Sequence, residues 1–246
     1  MSRDDRNYQQ NYQADASRQP VISAAAASRV FGSGVSTVTA VNGVDLEVSS
    51  GEFLVLIGRS GSGKTTLLNL LSGLDRPTSG TVLFQGADLA RLPERDLVEL
   101  RRRKIGFVFQ SFGLMPLLSA QENVELPLHI VGVAWRERRR RAQEVLESVG
   151  LGARARHRPY ELSGGEQQRV SIARALVANP EVVFADEPTG ELDTATARSI
   201  ADTLCDIASR NTTVIVATHD LDLAAVAHRR LEMVDGSIIN PDISPE

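Results

Sequence analysis

Residues 57–66, Ile57-Gly58-Arg59-Ser60-Gly61-Ser62-Gly63-Lys64-Thr65-Thr66, constrain this chain more than any other ten residues. They follow the apolar run Phe53-Leu54-Val55-Leu56-Ile57 and open onto Leu67-Leu68-Asn69-Leu70-Leu71. A buried strand, a glycine-rich turn and an apolar-faced helix form the setting a phosphate-binding loop requires, and the spacing fits G-x-x-x-x-G-K-[ST]. Glycines let the backbone curl so that several N–H groups point inward, and the helix start adds partial positive charge. A Gly/Ser turn that merely precedes a helix is the competing reading, and the flanking strand and helix argue against it. The expectation is a nucleoside triphosphate held by Gly58, Arg59, Ser60, Gly61, Ser62, Gly63, Lys64, Thr65 and Thr66. Lys64 would reach the β- and γ-phosphates, and the Thr65 hydroxyl would ligate Mg²⁺.

A chain of 246 residues accommodates one such α/β core with an insertion or a small lobe. Aliphatic residues must fill that core, because aromatics make up only 4% of the sequence. A net charge of −4 supplies no global attraction for nucleic acid. The single cysteine, Cys205, excludes an internal disulfide and a Cys-rich zinc site, and a reducing cytosol is the expected home. No apolar stretch reaches the roughly eighteen residues a membrane span needs, and no secretory h-region opens the chain.

In order, residues 1–20 are polar and of mixed charge and read as a disordered tail. Val44, Leu46 and Val48 alternate with Asp45 and Glu47 as a half-buried strand, and Thr81–Phe84 gives another before Gly86. Antiparallel strands are therefore expected on one side of the nucleotide core. Phe31 would either stack on an adenine ring or be an ordinary core phenylalanine. Residues 94–104 read as a helix and Ile105–Phe109 as a strand delivering Gln110, either into the site or to the surface. Residues 111–161 change character and read as an inserted helical lobe. Its helix from Trp135 to Val149 carries the run Arg136 to Arg141, interleaved with glutamates and expected to be a solvated face.

Leu162-Ser163-Gly164-Gly165-Glu166-Gln167-Gln168-Arg169 then enters a helix. Ser163 and Glu166 form an S-x-x-E capping box, sufficient by itself to start a helix. Two first-turn glycines are poor helix formers, though, and suit a ligand drawn close to the backbone N–H groups. Glu181–Ala185 is a buried strand ending in Asp186 and Glu187. Asp186 is placed to hold Mg²⁺ beside the phosphate loop, and Glu187 to polarise an attacking water. Thr213–Ala217 is a further buried strand, and His219 beyond it would either be structural, as a lone histidine more often is, or donate to a γ-phosphate. Asp235-Gly236 is a hairpin signal between the last two strands.

The phosphate loop, Gln110, the Leu162–Gln167 signature, Asp186-Glu187, Leu192-Asp193 and His219 occur in the order of a known family. Over about residues 21–240 the chain resembles the ATP-binding subunit of an ABC transporter. Phe107–Gln110, Gly113–Pro116, Glu122–Val124 and Ala185–Gly190 look like its lipoprotein-release and macrolide-export branch. The resemblance implies a P-loop NTPase core with a mostly parallel sheet, an N-terminal antiparallel β subdomain and the helical lobe, leaving 241–246 as a tail. It implies ATP and Mg²⁺ as cofactors, Phe31 on the adenine, and Gln110 with Thr65 and Asp186 at the metal. Ser163, Gly164, Gly165, Glu166 and Asp193 would meet nucleotide across a head-to-tail homodimer, and Glu187, His219 and Gln110 would carry hydrolysis. It also implies a separate integral-membrane permease, no nucleic-acid partner, and a place on the cytoplasmic face of the membrane. Export of a lipid-linked or amphipathic substrate is the leading expectation, and a regulatory ATPase driving a non-transporting partner, as in cell division, the alternative. Glu191 departs from the Ala or Asn more usual there.

Overall fold

The computed structural model describes residues 20–32 and 36–243. The tail expected over 1–20 lies outside these apart from Pro20. The core is a six-stranded sheet ordered β10-β9-β3-β8-β7-β6, formed by β3 (Phe53–Ile57), β6 (Ile105–Val108), β7 (Val182–Asp186), β8 (Thr213–Thr218), β9 (Arg229–Val234) and β10 (Ser237–Ile243). β3, β8, β7, β6 and β9 run parallel, and β10 turns back on β9 through Asp235-Gly236. β10 continues to Ile243, so the end expected at residue 240 is three residues too early.

Val182–Ala185 and Val214–Ala217 are completely buried because both faces of this sheet are covered. Alternate residues go to opposite cores. Leu54, Leu56, Phe184, Ile215 and Ala217 pack with Leu67, Leu70 and Leu71 of α1 (Lys64–Leu71). Phe53, Val55, Val183, Ala185, Val214 and Val216 pack with α5 (Gly164–Leu176) and α6 (Thr194–Ser209). Each fully buried leucine contributes about 1.5–3 kcal/mol. A second, antiparallel sheet, β2-β1-β4-β5, closes over α1. It comprises β1 (Ile22–Phe31), β2 (Val38–Val48), β4 (Ser79–Phe84) and β5 (Ala87–Asp88). α2 (Glu94–Lys104) leads into β6, and the short α7 (Leu221–Ala225) follows β8.

The lobe contains α3 (Ala120–Ile130) and α4 (Trp135–Ser148). Ser119 and Glu122 cap α3 reciprocally. Fully buried Asn123 fastens the segment before it, accepting from Met115 N–H at 2.7 Å and donating to the carbonyls of Met115 and Leu118. Arg174 of α5 holds the same segment from below through the carbonyls of Phe112 (2.9 Å) and Gly113. The chain after Gln110 is thus tied to both the lobe and the core.

Candidate nucleotide site

The phosphate loop leaves β3 and is wedged between two strands. A Cβ on Gly58 would lie 2.4 Å from Met233 O, and one on Gly63 would lie 2.1 Å from Ala40 O. Gly63 also needs φ of +103° to start α1. These two glycines are therefore required by the fold itself. Around Gly61 the space is open. Gly63 offers α1 no side-chain cap, and no acid occupies its first turn, so the positive helix start faces the loop. Ser62 Oγ is buried without a partner. An orphan hydroxyl beside an uncapped, acid-free helix start fits a phosphate. Arg59 and Ser60 are exposed at the loop tip, and Thr66 is half-buried.

Lys64 is buried, with Nζ donating to Gly58 O at 2.8 Å and Arg59 O at 3.1 Å, and lying 3.9 Å from Glu187. The Thr65 hydroxyl donates to Asp186 at 3.2 Å. Burial, reinforced by the neighbouring Glu187 charge, pushes the Asp186 carboxyl above its ordinary value, against the Thr65 hydrogen bond and the Lys64 charge. Among the described residues no three His, Cys, Asp or Glu side chains cluster as a self-sufficient metal cage. One hydroxyl and one carboxylate form the sparse oxygen set that suits Mg²⁺, which keeps waters and takes other ligands from substrate phosphates.

Glu187 has φ of +46°, an uncommon conformation for a residue with a side chain. Its N–H donates to Ala217 O of the neighbouring strand, and its carboxylate is gripped by the end of β8. One carboxylate oxygen accepts from the Thr218 hydroxyl at 3.0 Å and His219 N–H at 3.3 Å, and His219 Nδ1 lies 2.9 Å away. Contact with a carboxylate assigns a proton to Nδ1 of this largely exposed ring. The register pairs Asp186 with Ala217, so two strand ends converge on one acid. A Cβ on Gly190 would lie 3.4 Å from the Gln110 amide, which places exposed Gln110 against this same loop, beyond the strand end at Val108.

The remaining expected residues stand elsewhere. Phe31 is 43% exposed at the end of β1 with the Arg29 guanidinium 4.6 Å from its ring centre, so it is not a core residue. Ser163 and Glu166 complete their capping box. Gly165 has an internal reason to be glycine, because its Cβ would strike Thr196 at 2.3 Å. Gly164 has only ordinary contacts. Asp193 caps α6, accepting from Ala195 and Thr196 N–H and the Thr196 hydroxyl. The neighbours of Ser163–Gly165 thus include Phe112, Glu166, Leu192 and Thr196 rather than the phosphate loop.

Sequence reasoning gave no role to Gln168 or Thr218. Gln168 is fully buried on α5 and donates from Nε2 to Pro188 O at 2.8 Å, holding the residue after Glu187. It lies in the buried stripe Gly165, Gln168, Ile172, Ala175. A glutamine on an apolar helical face was the available signal. Thr218 is the last residue of the fully buried β8, one residue before His219, and nothing in its local pattern marks it.

Fold and site together define a P-loop nucleotide-hydrolysing cassette with an inserted helical lobe. The ABC transporter family model matches residues 41–190, and the chain belongs to that family; its cassette is an ATPase domain. It is 45% identical over 223 residues to the macrolide export ATP-binding/permease protein MacB of Marinobacter nauticus, covering 91% of this chain and 35% of that protein. The chain therefore spans about a third of the length of this relative. It is 49% identical over 210 residues to an ABC transporter ATP-binding protein of Thermotoga maritima, covering 85% of this chain and 90% of that one. The dimeric post-hydrolysis structure of the cassette MJ0796 bound to ADP and Pi superimposes with a TM-score of 0.84 at 40% identity, over 92% of this chain and 99% of that one.

Proposed function

We propose that two copies of this chain close head to tail around ATP and that hydrolysis reopens them to drive a membrane permease on a separate chain. Each ATP would lie between the phosphate loop of one copy and Ser163, Gly164, Gly165 and Glu166 of the other, with Asp193 beside that face. Phe31, exposed on the sheet that closes over α1, would meet the adenine. The observation that carries this reading is the separation within one chain of an uncapped phosphate loop from a second helix start whose contacts lie elsewhere. The dimeric MJ0796 structure supports it.

Thr65 and Asp186 would hold Mg²⁺, with Gln110 beside them, and the ion would neutralise charge on the β- and γ-phosphates. Lys64 shares that charge. Glu187 takes the proton of a water whose oxygen bonds to the γ-phosphorus as the bond to the β–γ bridging oxygen breaks, leaving ADP and phosphate. Thr218 and the His219 N–H fix the carboxylate, and the exposed edge of the His219 ring faces the γ-phosphate. The permease would seat in the groove between lobe and core, where Phe107, Phe109, Pro127, Ile130 and Ala178 line a largely apolar hollow of about 260 Å³. The cassette would then sit on the cytoplasmic face of the membrane. The exported substrate would be amphipathic or lipid-linked, and the MacB relative, named for macrolide export, supports the amphipathic reading.

Glu187→Gln tests the scheme. The amide keeps shape and hydrogen bonding but accepts no proton, so turnover should fall by about 10²–10⁴-fold while nucleotide still binds. With ATP and Mg²⁺ the variant should elute as a dimer on gel filtration. A monomeric variant that still hydrolyses ATP removes Glu187 from the role.

A further inference from the structure

We infer that the helical lobe carries a docking site for anionic phospholipid headgroups, formed by Arg136, Arg139 and Arg156 around Trp135. The arginine run of α4 divides into two populations. Arg140 and Arg141 are bound by Glu137, Arg140 also by Glu144, and Arg138 lies 3.9 Å from Glu125. Among the described residues Arg136, Arg139 and Arg156 form no ion pair. Together with His157 they line a hollow of about 590 Å³ between α4 and the 152–157 turn, and none of its lining residues is a carboxylate. His157 Nδ1 is buried there with no partner, while Nε2 lies 3.1 Å from Arg154. This cationic basin lies on a chain whose net charge is −4, so its sign is local.

Trp135 separates a lipid from a free phosphate. It is the only tryptophan of the chain, it is 56% exposed at the start of α4, and the Arg139 guanidinium lies 5.6 Å from its ring. An amphipathic ring among long cationic side chains suits the boundary between headgroups and acyl chains. A neighbouring hollow on α3 shares Trp135, Arg139 and Arg156, is also lined by Glu122 and Glu125, and reaches His129, while the adjacent Ile130 lines the groove proposed for the permease. The neighbouring hollow links the basin to the end of α3 that borders the groove, and a permease in the groove would bring the basin to the anionic leaflet. Only this orientation rests on the proposed function; the chemistry of the basin does not.

The full chain, without nucleotide or permease, is mixed with vesicles of phosphatidylglycerol and phosphatidylcholine or of phosphatidylcholine alone. The expected result is co-sedimentation with the anionic vesicles only, weakened by salt, with blue-shifted Trp135 emission that resists a water-soluble quencher. In Arg136→Gln/Arg139→Gln/Arg156→Gln, partition should fall on the order of a hundredfold, from about fivefold for each charge near an anionic surface, with melting temperature and basal ATPase unchanged. No binding to anionic vesicles, equal binding to neutral ones, or a triple variant that binds like wild type overturns the inference. So does saturation of the Trp135 signal by soluble glycerol phosphate or by a short RNA in place of vesicles. An inactive ATPase with normal vesicle binding would fault the proposed function and leave this site standing.

Discussion

Gln168→Met isolates what holds the loop that carries Glu187. The substitution keeps length and burial and removes the donor to Pro188 O. Loss of a neutral hydrogen bond costs about 1 kcal/mol, and a buried carbonyl left unpaired about 1–3 kcal/mol. Against this, Gln168 Oε1 is itself buried without a partner, and removing it recovers a comparable amount. The net change should stay within about 2 kcal/mol, a shift of about 4–8 °C in melting temperature for a domain of this size. The rate should respond far more. Pro188 follows a glutamate already at positive φ, and a catalytic group displaced by about 1 Å costs on the order of 10² in rate. ATPase kcat should therefore fall 10- to 100-fold with KM nearly unchanged, because Lys64, Thr65 and the loop glycines are untouched. Gln168→Glu should fare worse in both respects, since it sets a carboxylate against a carbonyl in a fully buried place. Steady-state ATPase assays with parallel thermal melts read both quantities. A stably folded Gln168→Met protein with wild-type kcat, or one altered only in KM, would refute the positioning role.

Lys64→Ala should leave a folded monomer but abolish ATP binding or hydrolysis, read by fluorescent-nucleotide titration and phosphate release; normal activity sinks the phosphate-loop assignment. Ser163→Arg and Lys64→Ala should each be inactive alone yet recover part of the ATPase when mixed, because one interface of the mixed dimer carries neither lesion. A failure to crosslink any ATP-dependent mixed dimer would count against the head-to-tail arrangement. His228 Nδ1 accepts from Phe53 N–H at 3.0 Å at the start of β3, and burial holds its pKa below the ordinary value of 6.5. The folded state binds that proton less readily than the unfolded one, so this stability is present above pH 6.5 and lost as pH falls below it. His228→Asn should flatten that part of the melting temperature–pH curve, and an unchanged slope would remove His228 as its source.

What could be read from the sequence is set by the distance over which each residue's reason for being there acts. The loop was legible because strand, turn and helix are contiguous, and because Gly58 and Gly63 answer to backbone geometry. β6, β7 and β8 were legible because a parallel strand covered on both faces has an apolar run and a polar exit. Which exits meet was not legible. Glu187 is held by Thr218 and His219 only because β7 and β8 are neighbours in register, 31 residues apart at the Thr218 contact. Asp193 and Gly165 show the opposite difficulty. Each had a ligand reading, and each also serves the fold internally, Asp193 by capping α6 and Gly165 by admitting Thr196. The two roles are compatible, since a cap that fixes the start of α6 also fixes the face that α5 lies against. Gln168 extends the same logic, being on the helix that begins at Ser163 and bonded to the loop that carries Glu187. If that helix start meets the other copy's nucleotide, Gln168 connects the occupancy of one site to the geometry of the other. A buried glutamine with half its amide unsatisfied is a poor stabiliser, and such a connection gives it a reason to be there.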